Sequence, residues 1–544
     1  MTNPDWWRGA VFYQIYPRSF QDSTGTGVGD LAGITARLPY VADLGVDAIW
    51  LSPFFTSPMA DMGYDIADYE GVDPMFGTLD DFSRLVDTAH SLGLKVMIDQ
   101  VFSHASDQHA WFQMSKSSRD IPRADWFVWA DPKPEGSPPN NWQSVFGGSA
   151  WTWNPRRKQY YMHNFLASQP DLNFHTPAVQ DAVLGYLKTW LDRGVDGFRL
   201  DSVNYCFHDP LLRDNPPVTD WSTNDVPDSN AYGYQDHLYD KTRPEMLPFL
   251  GRVRALVDRY PGRATVGEIG DGPRSLATMA AYTAGDERLH MAYSFDMLGP
   301  GFSPQHMRGC VEAFDAAARA HGGGQSWPCW AFSNHDVPRH ASRWAAAGRD
   351  WDALCRFAAT LLLSLRGSVC LYQGEELGLP EAELAYEDLT DPYGIAFWPE
   401  FKGRDGCRTP FPWADRTGAG FTQAEKPWLP IPEAHRARAA ATQMGRADAP
   451  VETYRRLLAL RRRTPALIRG ALTFLDWSET GLAFRRDDDA ETLLCLFNFA
   501  DSPAEYAPET GTVLTPLWPE AGAAQKGTVT LPPLGILIAR IEAD

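Results

Sequence analysis

Eight short β-branched or apolar runs, separated by stretches with helical spacing, constrain this chain more than any other feature. The runs are VFYQIY (11–16), AIWL (48–51), KVMID (95–99), GFRLD (197–201), ATVGE (264–268), MAYSF (291–295), CWAFSN (329–334) and SVCLY (368–372). Between them, Leu31, Ile34, Leu38 and Val41 fall at helical spacing, as do Val183, Leu184, Leu187, Trp190 and Leu191. Strands that alternate with helices pair in parallel through crossovers. Eight such units within the first 460 or so residues predict an α/β protein built on a closed (β/α)8 TIM barrel rather than an open doubly wound sheet. No Gly-rich phosphate loop follows the first run, which argues against a dinucleotide fold.

The longest gap separates the third run from the fourth and is rich in Trp, Pro, Asn and Gly. A connection of that length is functional or a domain in itself. Residues 104–171 are therefore expected to form a small inserted domain over the barrel mouth, with 1–103 and 172–465 forming the barrel. Pro- and Asp-rich loops at 207–245 and 380–430 follow the fourth and eighth runs, on the face where barrel sites form. The Ala-rich stretch 436–449 reads as helix or linker. Beyond Pro465 the pattern turns to period two (LTFLDW, GLAFRR, TLLCLFNF, GTVTL, ILIARI), predicting a separate C-terminal antiparallel β-sandwich domain over 466–544.

Composition narrows the partners. Lys and Arg number 49 against 69 Asp and Glu, a net charge of −20, which repels a phosphate backbone and argues against nucleic acid. The apolar run Phe357–Leu365 is bracketed by Arg356 and Arg366, far short of the ~20 residues that span a bilayer. The N-terminus shows no basic segment followed by an apolar one. The seven cysteines are scattered and include no CxxC pair, so reduced, buried thiols are expected. These features predict a cytoplasmic protein with a small-molecule substrate and no membrane or nucleic-acid partner; they say nothing of oligomeric state. Many of the aromatic residues lie in polar stretches such as DWFVWADP and SAWTWNP. Flat rings beside Asp, Asn and Arg suit a carbohydrate, with its apolar C–H faces and rim of hydroxyls.

Four acids stand at strand ends: Asp99, Asp201 and Glu268 close the third, fourth and fifth runs, and Asp336 follows the seventh. His104 and His335 lie nearby, and Arg199 points to the same side of its strand as Asp201. Any one acid could be a cap or a salt bridge. Four on one barrel mouth converge, and clustered carboxylates raise at least one pKa, giving the acid-and-anion pair that glycosyl transfer needs. The competing chemistry is a metallohydrolase with His104, Asp99, Asp201 and Glu268 as ligands, but no HxH or HExxH spacing supports it.

In order and spacing, DQVFSH (99–104), GFRLDSVN (197–204), GEIG (267–270) and FSNHD (332–336) resemble the four signature regions of the α-amylase family of glycoside hydrolases. QPDLN (169–173) resembles the motif of its oligo-1,6-glucosidase and α-glucosidase branch. WWRGAVFYQIYPRSFQDSTGTGVGDLAGI, DMGYDIADY and LYQGEELG look like the same branch. The resemblance implies Asp201 as nucleophile, Glu268 as general acid/base and Asp336 as the third acid, which bonds sugar hydroxyls. It implies that Arg199 keeps Asp201 ionised, that His104 and His335 bond the glucose of the −1 subsite, and that Asp61 and Tyr64 close that pocket. Arg408, in CRTPFPW, matches the arginine that bonds the sugar's outer hydroxyls. An Asp61–Arg408 lid would then make an exo-acting pocket. Phe146 and Phe165 are candidate acceptor-side rings, or core of the inserted domain.

The implied activity is that of a retaining α-glucosidase on maltose-like α-1,4 glucosides, with glucosyl transfer to other alcohols. Ser202-Val203 after the nucleophile looks like the α-1,4 members, and Phe411-Pro412 replace the commoner Met-Gln. The alternatives are an oligo-1,6-glucosidase, a sucrose isomerase, a dedicated transglucosylase, or a non-catalytic transporter-associated relative, which would lack the acids and carry a membrane anchor. Many relatives hold calcium in the loop after the first strand. Here Asp22, Thr24, Thr26, Val28 and Asp30 are the candidate ligands, and two threonines in place of charged or amide groups imply weak binding. No cofactor is needed for the chemistry.

Overall fold

The computed structural model describes residues 4–220, 226–321, 325–519 and 525–543, so part of the 207–245 loop lies outside the described residues. Eight strands form one parallel sheet: β1 (Val11–Ile15), β2 (Ala48–Leu51), β3 (Lys95–Val101), β4 (Gly197–Asp201), β5 (Ala264–Ile269), β6 (Met291–Ser294), β7 (Cys329–Ala331) and β8 (Ser368–Tyr372). Their order is β6-β5-β4-β3-β2-β1-β8-β7, and a parallel bridge from Ala292 to Pro328 closes the ring between β6 and β7.

Alternate residues face opposite sides of each strand. Phe12, Trp50, Met97, Val266, Met291, Tyr293, Cys329, Ala331 and Cys370 fill the barrel as a packed interior. Val11, Tyr13, Ile49, Leu51, Val96, Ile98, Phe198, Leu200, Val369 and Leu371 face outward into the helix layer. Both faces are buried, which is why these strands read as continuous apolar runs.

The helix after each strand, α1 (Leu31–Leu44), α2 (Leu79–Ser91), α3 (Pro177–Asp192), α4 (Met246–Val257), α5 (Ser275–Tyr282), α6 (Pro304–Ala320), α7 (Trp351–Ser364) and α8 (Pro450–Arg463), follows the expected pattern. Leu31, Ile34, Leu38 and Val41 of α1, and Val183, Leu187, Trp190 and Leu191 of α3, are buried. Local chemistry sets the starts. Asp30 accepts from Gly33 N (2.6 Å) at the head of α1, and Thr78 and Asp81 form a capping box on α2.

Between β3 and α3 the chain makes a short helix (Ala110–Ser115) and a small sheet of Trp129–Ala130, Gln159–Met162 and Trp151–Asn154. Trp142, Trp151, Val128 and Met162 form a separate core beneath it. Bridges from His104 to Asp171 and from Phe127 to Leu172 tie this segment to the barrel mouth.

After α8, strands β9 (Ala471–Leu475), β10 (Gly481–Asp488), β11 (Glu491–Asn498), β12 (Ala504–Tyr506), β13 (Thr512–Trp518), β14 (Gln525–Lys526), β15 (Val529–Leu531) and β16 (Ile536–Ala543) form two antiparallel layers. The main sheet runs β9-β10-β11-β16-β13-β14, and the second layer is the β12-β15 pair. Leu494, Leu496, Leu514, Val529, Leu531 and Leu537 pack between the layers. The other face meets α7: Phe357 packs on Phe497 and Phe499 (5.5 and 4.8 Å), and Trp518 Nε1 donates to Thr360 Oγ1 (3.1 Å). This explains the apolar run at 357–365, which is covered on both sides. Among the described residues no helix is long and apolar enough to cross a membrane. All seven cysteines are buried and unpaired.

Gly197 opens β4, and a Cβ there would lie 2.0 Å from the carbonyl oxygen of Ala264 on β5. Gly197→Ala must push the two strands apart, and with them Asp201 and Glu268. It is expected to lower both the melting temperature and kcat, read by thermal denaturation and steady-state kinetics.

Candidate active site

The strand ends bring Asp99, Arg199, Asp201, Glu268 and Tyr293 together. Asp99 pairs with Arg199 across β3 and β4, and Glu268 pairs with Tyr293 across β5 and β6. Arg199 is fully buried, and its guanidinium is the hub. Nη1 donates to Asp99 Oδ1 (2.8 Å) and Asp201 Oδ1 (2.5 Å), and Nη2 donates to Glu268 Oε1 and the Tyr293 hydroxyl (2.8 Å). Tyr293 donates its own proton to Glu268 Oε1 (2.8 Å). Ser202 adopts the left-handed conformation (φ 39°), which aims its N–H at Glu268 Oε2 (3.0 Å). Trp50 lies under the guanidinium, 4.9 Å from its carbon, and donates to Asp99 Oδ2 (3.2 Å).

One guanidinium does not neutralise three carboxylates. Burial first, and then mutual repulsion among the acids, outweigh Arg199: Asp99 rises to about 6, and Asp201 and Glu268 each to about 7. The last two titrate as a pair that shares a proton near neutrality. Asp336 goes the other way. Burial would raise its pKa, but His335, Arg404 and Arg408 outweigh that and hold it well below the usual carboxylate range. The site therefore contains a permanently ionised acid beside a pair poised to exchange a proton.

His335 stacks on Tyr64 (centroids 5.1 Å, 11°), with its Nε2 at the Tyr64 hydroxyl and 3.3 Å from Asp336 Oδ2. His104 places Nε2 at the Tyr64 carbonyl (3.0 Å), and burial lowers its pKa to about 4. Both rings are thus held neutral, since burial also takes His335 well below its ordinary value.

The expected Asp61–Arg408 lid is corrected by the structure. Asp61 Oδ1 accepts from Arg404 Nη2 (2.7 Å), not from Arg408. Arg404 also bonds Asp391 (2.7 Å) and Asp336 (3.3 Å), and its guanidinium lies over the Phe146 ring (5.0 Å). Arg408 is fully buried behind the site, with Nε on the His335 carbonyl (2.7 Å) and Nη2 on Asp336 (3.0 Å). The physical reason is one helical turn. Asp405–Arg408 is helical, so arginines at 404 and 408 stand at successive levels, and the outer one reaches Asp61. Gln169 of QPDLN was also missed: its Nε2 donates to Asp61 Oδ2 (3.0 Å), joining the inserted segment to the lid. Tyr293 was not named from the sequence either, although alternation from Met291 turns it inward.

The cavity over these groups has a volume of about 620 Å³ and is lined by Asp61, Tyr64, His104, Asp201, Glu268, His335, Asp336 and Arg404 at its inner end. Phe146 and Phe165 line the same cavity, 5.9 Å apart, and neither belongs to the buried core of the inserted segment. Asp220, Val226, Tyr232 and Lys241 of the 207–245 loop form part of the outer wall.

The proposed calcium loop is partly built. Asp22 Oδ1, Thr24 Oγ1, Thr26 Oγ1 and the Val28 carbonyl oxygen follow one another at 3.2–3.4 Å. Oxygens about 2.4 Å from a calcium ion have roughly that spacing. Asp30 departs from the expected set: its oxygens accept from Ser23 N (2.8 Å) and Oγ (2.7 Å) and from Gly33 N, so it caps α1 instead. Asp22 is engaged in the same way, its Oδ1 accepting from Thr24 N (2.9 Å) and Gly25 N (2.8 Å) and its Oδ2 from Gly27 N (2.8 Å), so both carboxylates serve the turn and little charge is left for an ion; no catalytic group touches this loop. His104, Asp99, Asp201 and Glu268 do not form a metal centre: among the described residues no cluster of His, Cys, Asp and Glu is arranged as ligands.

The two arginines should separate on mutation. Asp61→Asn leaves Arg404 paired with Asp391, so KM for short glucosides is expected to rise by roughly tenfold or more with little change in melting temperature. Arg408→Leu strips the His335 carbonyl and Asp336 of their buried partner, and a loss of about 3–5 kcal/mol of stability is expected, read by denaturant unfolding.

Comparison with known proteins agrees with the geometry. The alpha-amylase catalytic domain family matches residues 14–470. A probable alpha-glucosidase of Rhizobium meliloti (strain 1021) is 56% identical over 503 residues, 92% of this chain and 90% of that protein. An oligo-1,6-glucosidase of Heyndrickxia coagulans is 35% identical over 92% of this chain and 93% of its own length. Among solved structures, an alpha-glucosyl transfer enzyme is 54% identical with a TM-score of 0.94 over 99% of both chains. The trehalulose synthase of Pseudomonas mesoacidophila MX-45 is 33% identical with a TM-score of 0.89, again over 99% of both. A closed eight-stranded barrel with this carboxylate cluster at its mouth, matched over most of its length, places the chain in the alpha-amylase family as a glycoside hydrolase of its alpha-glucosidase group.

Proposed function

We propose that the protein is an exo-acting, retaining α-glucosidase that releases terminal glucose from maltose-like α-1,4 glucosides and transfers glucosyl groups to other alcohols. The observation that carries this reading is one buried guanidinium, Arg199, bonding both Asp201 and Glu268 in a cavity whose inner end is shut by Asp61 and Arg404. Two carboxylates on one guanidinium support the short spacing, about 5–5.5 Å, of the retaining class rather than the 6.5–9.5 Å of the inverting class. A shut end supports a pocket for a chain terminus rather than an open groove.

In this reading Asp201 attacks the anomeric carbon as Glu268 gives its proton to the departing oxygen, leaving a β-glucosyl ester on Asp201. Glu268, now a carboxylate, takes a proton from water or another alcohol as that oxygen attacks the ester, and the α-configuration returns. Asp336, ionised throughout, bonds sugar hydroxyls and favours the positive charge that develops on the ring. The shared proton of the Asp201–Glu268 pair is then the catalytic proton. Ser202-Val203 supports α-1,4 preference, and the likeness to an alpha-glucosyl transfer enzyme supports transfer.

Asp201→Asn should cost on the order of 10⁴-fold or more in kcat with the fold intact. The first sugar released from maltose, followed by NMR, should be α-glucose; β-glucose would refute double displacement, and preference for isomaltose would move the protein to the α-1,6 group. Activity needs one proton on the pair. The rate is therefore expected to fall on the acid side as Asp201 is protonated and on the alkaline side as Glu268 loses its proton, with kcat/KM highest near pH 7.

A further inference from the structure

Gln14 is a buried polar side chain of the barrel mouth that neither lines the cavity nor enters the steps above. It lies on β1 two residues after the inward-facing Phe12, so it too turns into the barrel. Its Nε2 donates to Ser52 Oγ (3.1 Å) and faces Nδ1 of His335 (2.8 Å), while its Oε1 has no partner among the described residues. An amide N–H donates and does not accept. With the amide in this orientation, Nδ1 of His335 carries the lone pair and the ring proton sits on Nε2.

That choice propagates. The Nε2 proton faces the Tyr64 hydroxyl oxygen and Asp336 Oδ2. With its oxygen accepting, Tyr64 is free to donate to Asp99 Oδ2 (3.1 Å), and the other oxygen of Asp99 takes Arg199 Nη1, the same nitrogen that holds Asp201. In this direction no two donors and no two lone pairs are set against each other. With the amide turned over, Oε1 would accept from Nδ1, a lone pair on Nε2 would face the Asp336 carboxylate, and Tyr64 would be drawn away from Asp99. We propose that Gln14 is a positioning residue for glycosyl transfer: it holds His335 as the Nε2–H tautomer and so sets the direction of the hydrogen bonds that run through Tyr64 and Asp99 to Arg199 and Asp201. This rests on the reading of Asp201 as nucleophile.

The groups facing His335 fix what a test must show. Tyr64 and Tyr16 run at small angles to its ring (centroids 5.1 and 5.8 Å, 11° and 30°) and Trp50 meets it edge-on (6.2 Å). Asp336 is at Nε2, Arg408 on its carbonyl, and Arg199 and Arg404 act on it at longer range. Gln14→Glu keeps the size but offers Nδ1 only an acceptor. His335 would then take a second proton, held between the introduced carboxylate and Asp336. Expected are a fall in kcat on the order of 10²-fold, a new ionisation in its pH profile, and an unchanged melting temperature. Gln14→Met, which neither donates nor accepts, should lose roughly tenfold in kcat without the new ionisation. In ¹⁵N-histidine-labelled wild-type protein, with the His335 signal assigned by its loss in His335→Asn, Nδ1 should be unprotonated and Nε2 protonated.

A protonated Nδ1 in the wild type, or Gln14→Glu with wild-type kcat and pH profile, would overturn the proposal. If Gln14→Glu does not fold, the wild-type ¹⁵N spectrum and Gln14→Met decide. Trapping wild-type enzyme with 5-fluoro-α-glucosyl fluoride, followed by peptide mass spectrometry, separates the two failures. Label absent from Asp201 sinks the parent reading; label on Asp201 with silent Gln14 variants sinks only this one.

Discussion

The buried guanidinium of Arg199 is the interaction on which the barrel mouth depends. Three carboxylates and a phenol converge on it from β3, β4, β5 and β6. Acids this close, out of water, would otherwise be protonated or driven apart. Arg199 keeps them together without satisfying all of them, because one positive charge faces three potential negative ones. The shortfall leaves one proton to be shared between Asp201 and Glu268 near neutrality. Stability of the cluster and readiness for acid–base chemistry thus come from the same incomplete neutralisation.

A second set of charges is arranged to the opposite effect. Around Asp336 stand Arg404 and Arg408, two positive charges near one carboxylate, with the neutral His335 ring beside them, and the group stays ionised. The contrast between the over-compensated Asp336 and the under-compensated pair divides one pocket into a fixed anion and a proton-exchanging couple. In the mechanism proposed above, sugar hydroxyls and a developing positive ring charge call for the first, and bond cleavage and repair for the second.

Much of this was legible in the sequence. The barrel could be read because strands buried on both faces are apolar runs, and the acids because strand ends of a barrel must converge. The apolar stretch Phe357–Leu365 was legible only as a run too short to span a membrane; that it is a helix covered by the C-terminal sheet depends on long-range packing. The lid partner was read one turn too far along, at Arg408, because a motif gives residue order and not which turn of a short helix faces outward. Gln169 and Gln14 escaped for a related reason. A neutral amide carries no charge pattern or periodicity, and its importance lies wholly in which atoms it meets across 108 and 321 residues of chain.

The double coverage of α7 has a further consequence. Phe357, with its neighbours, is core to the barrel on one side and to β11, β13 and β16 on the other. The C-terminal strands are therefore not a detachable accessory. A chain ending at Arg463, as it emerges from the ribosome, would hold every residue of the pocket yet present an oily helix flank to water. Newly made barrel is in that sense incomplete and prone to stick to its own kind until the strands of residues 471–543 arrive. The pocket and the cover that keeps its helix layer dispersed thus come from separate stretches of chain, and the second completes the packing of the first.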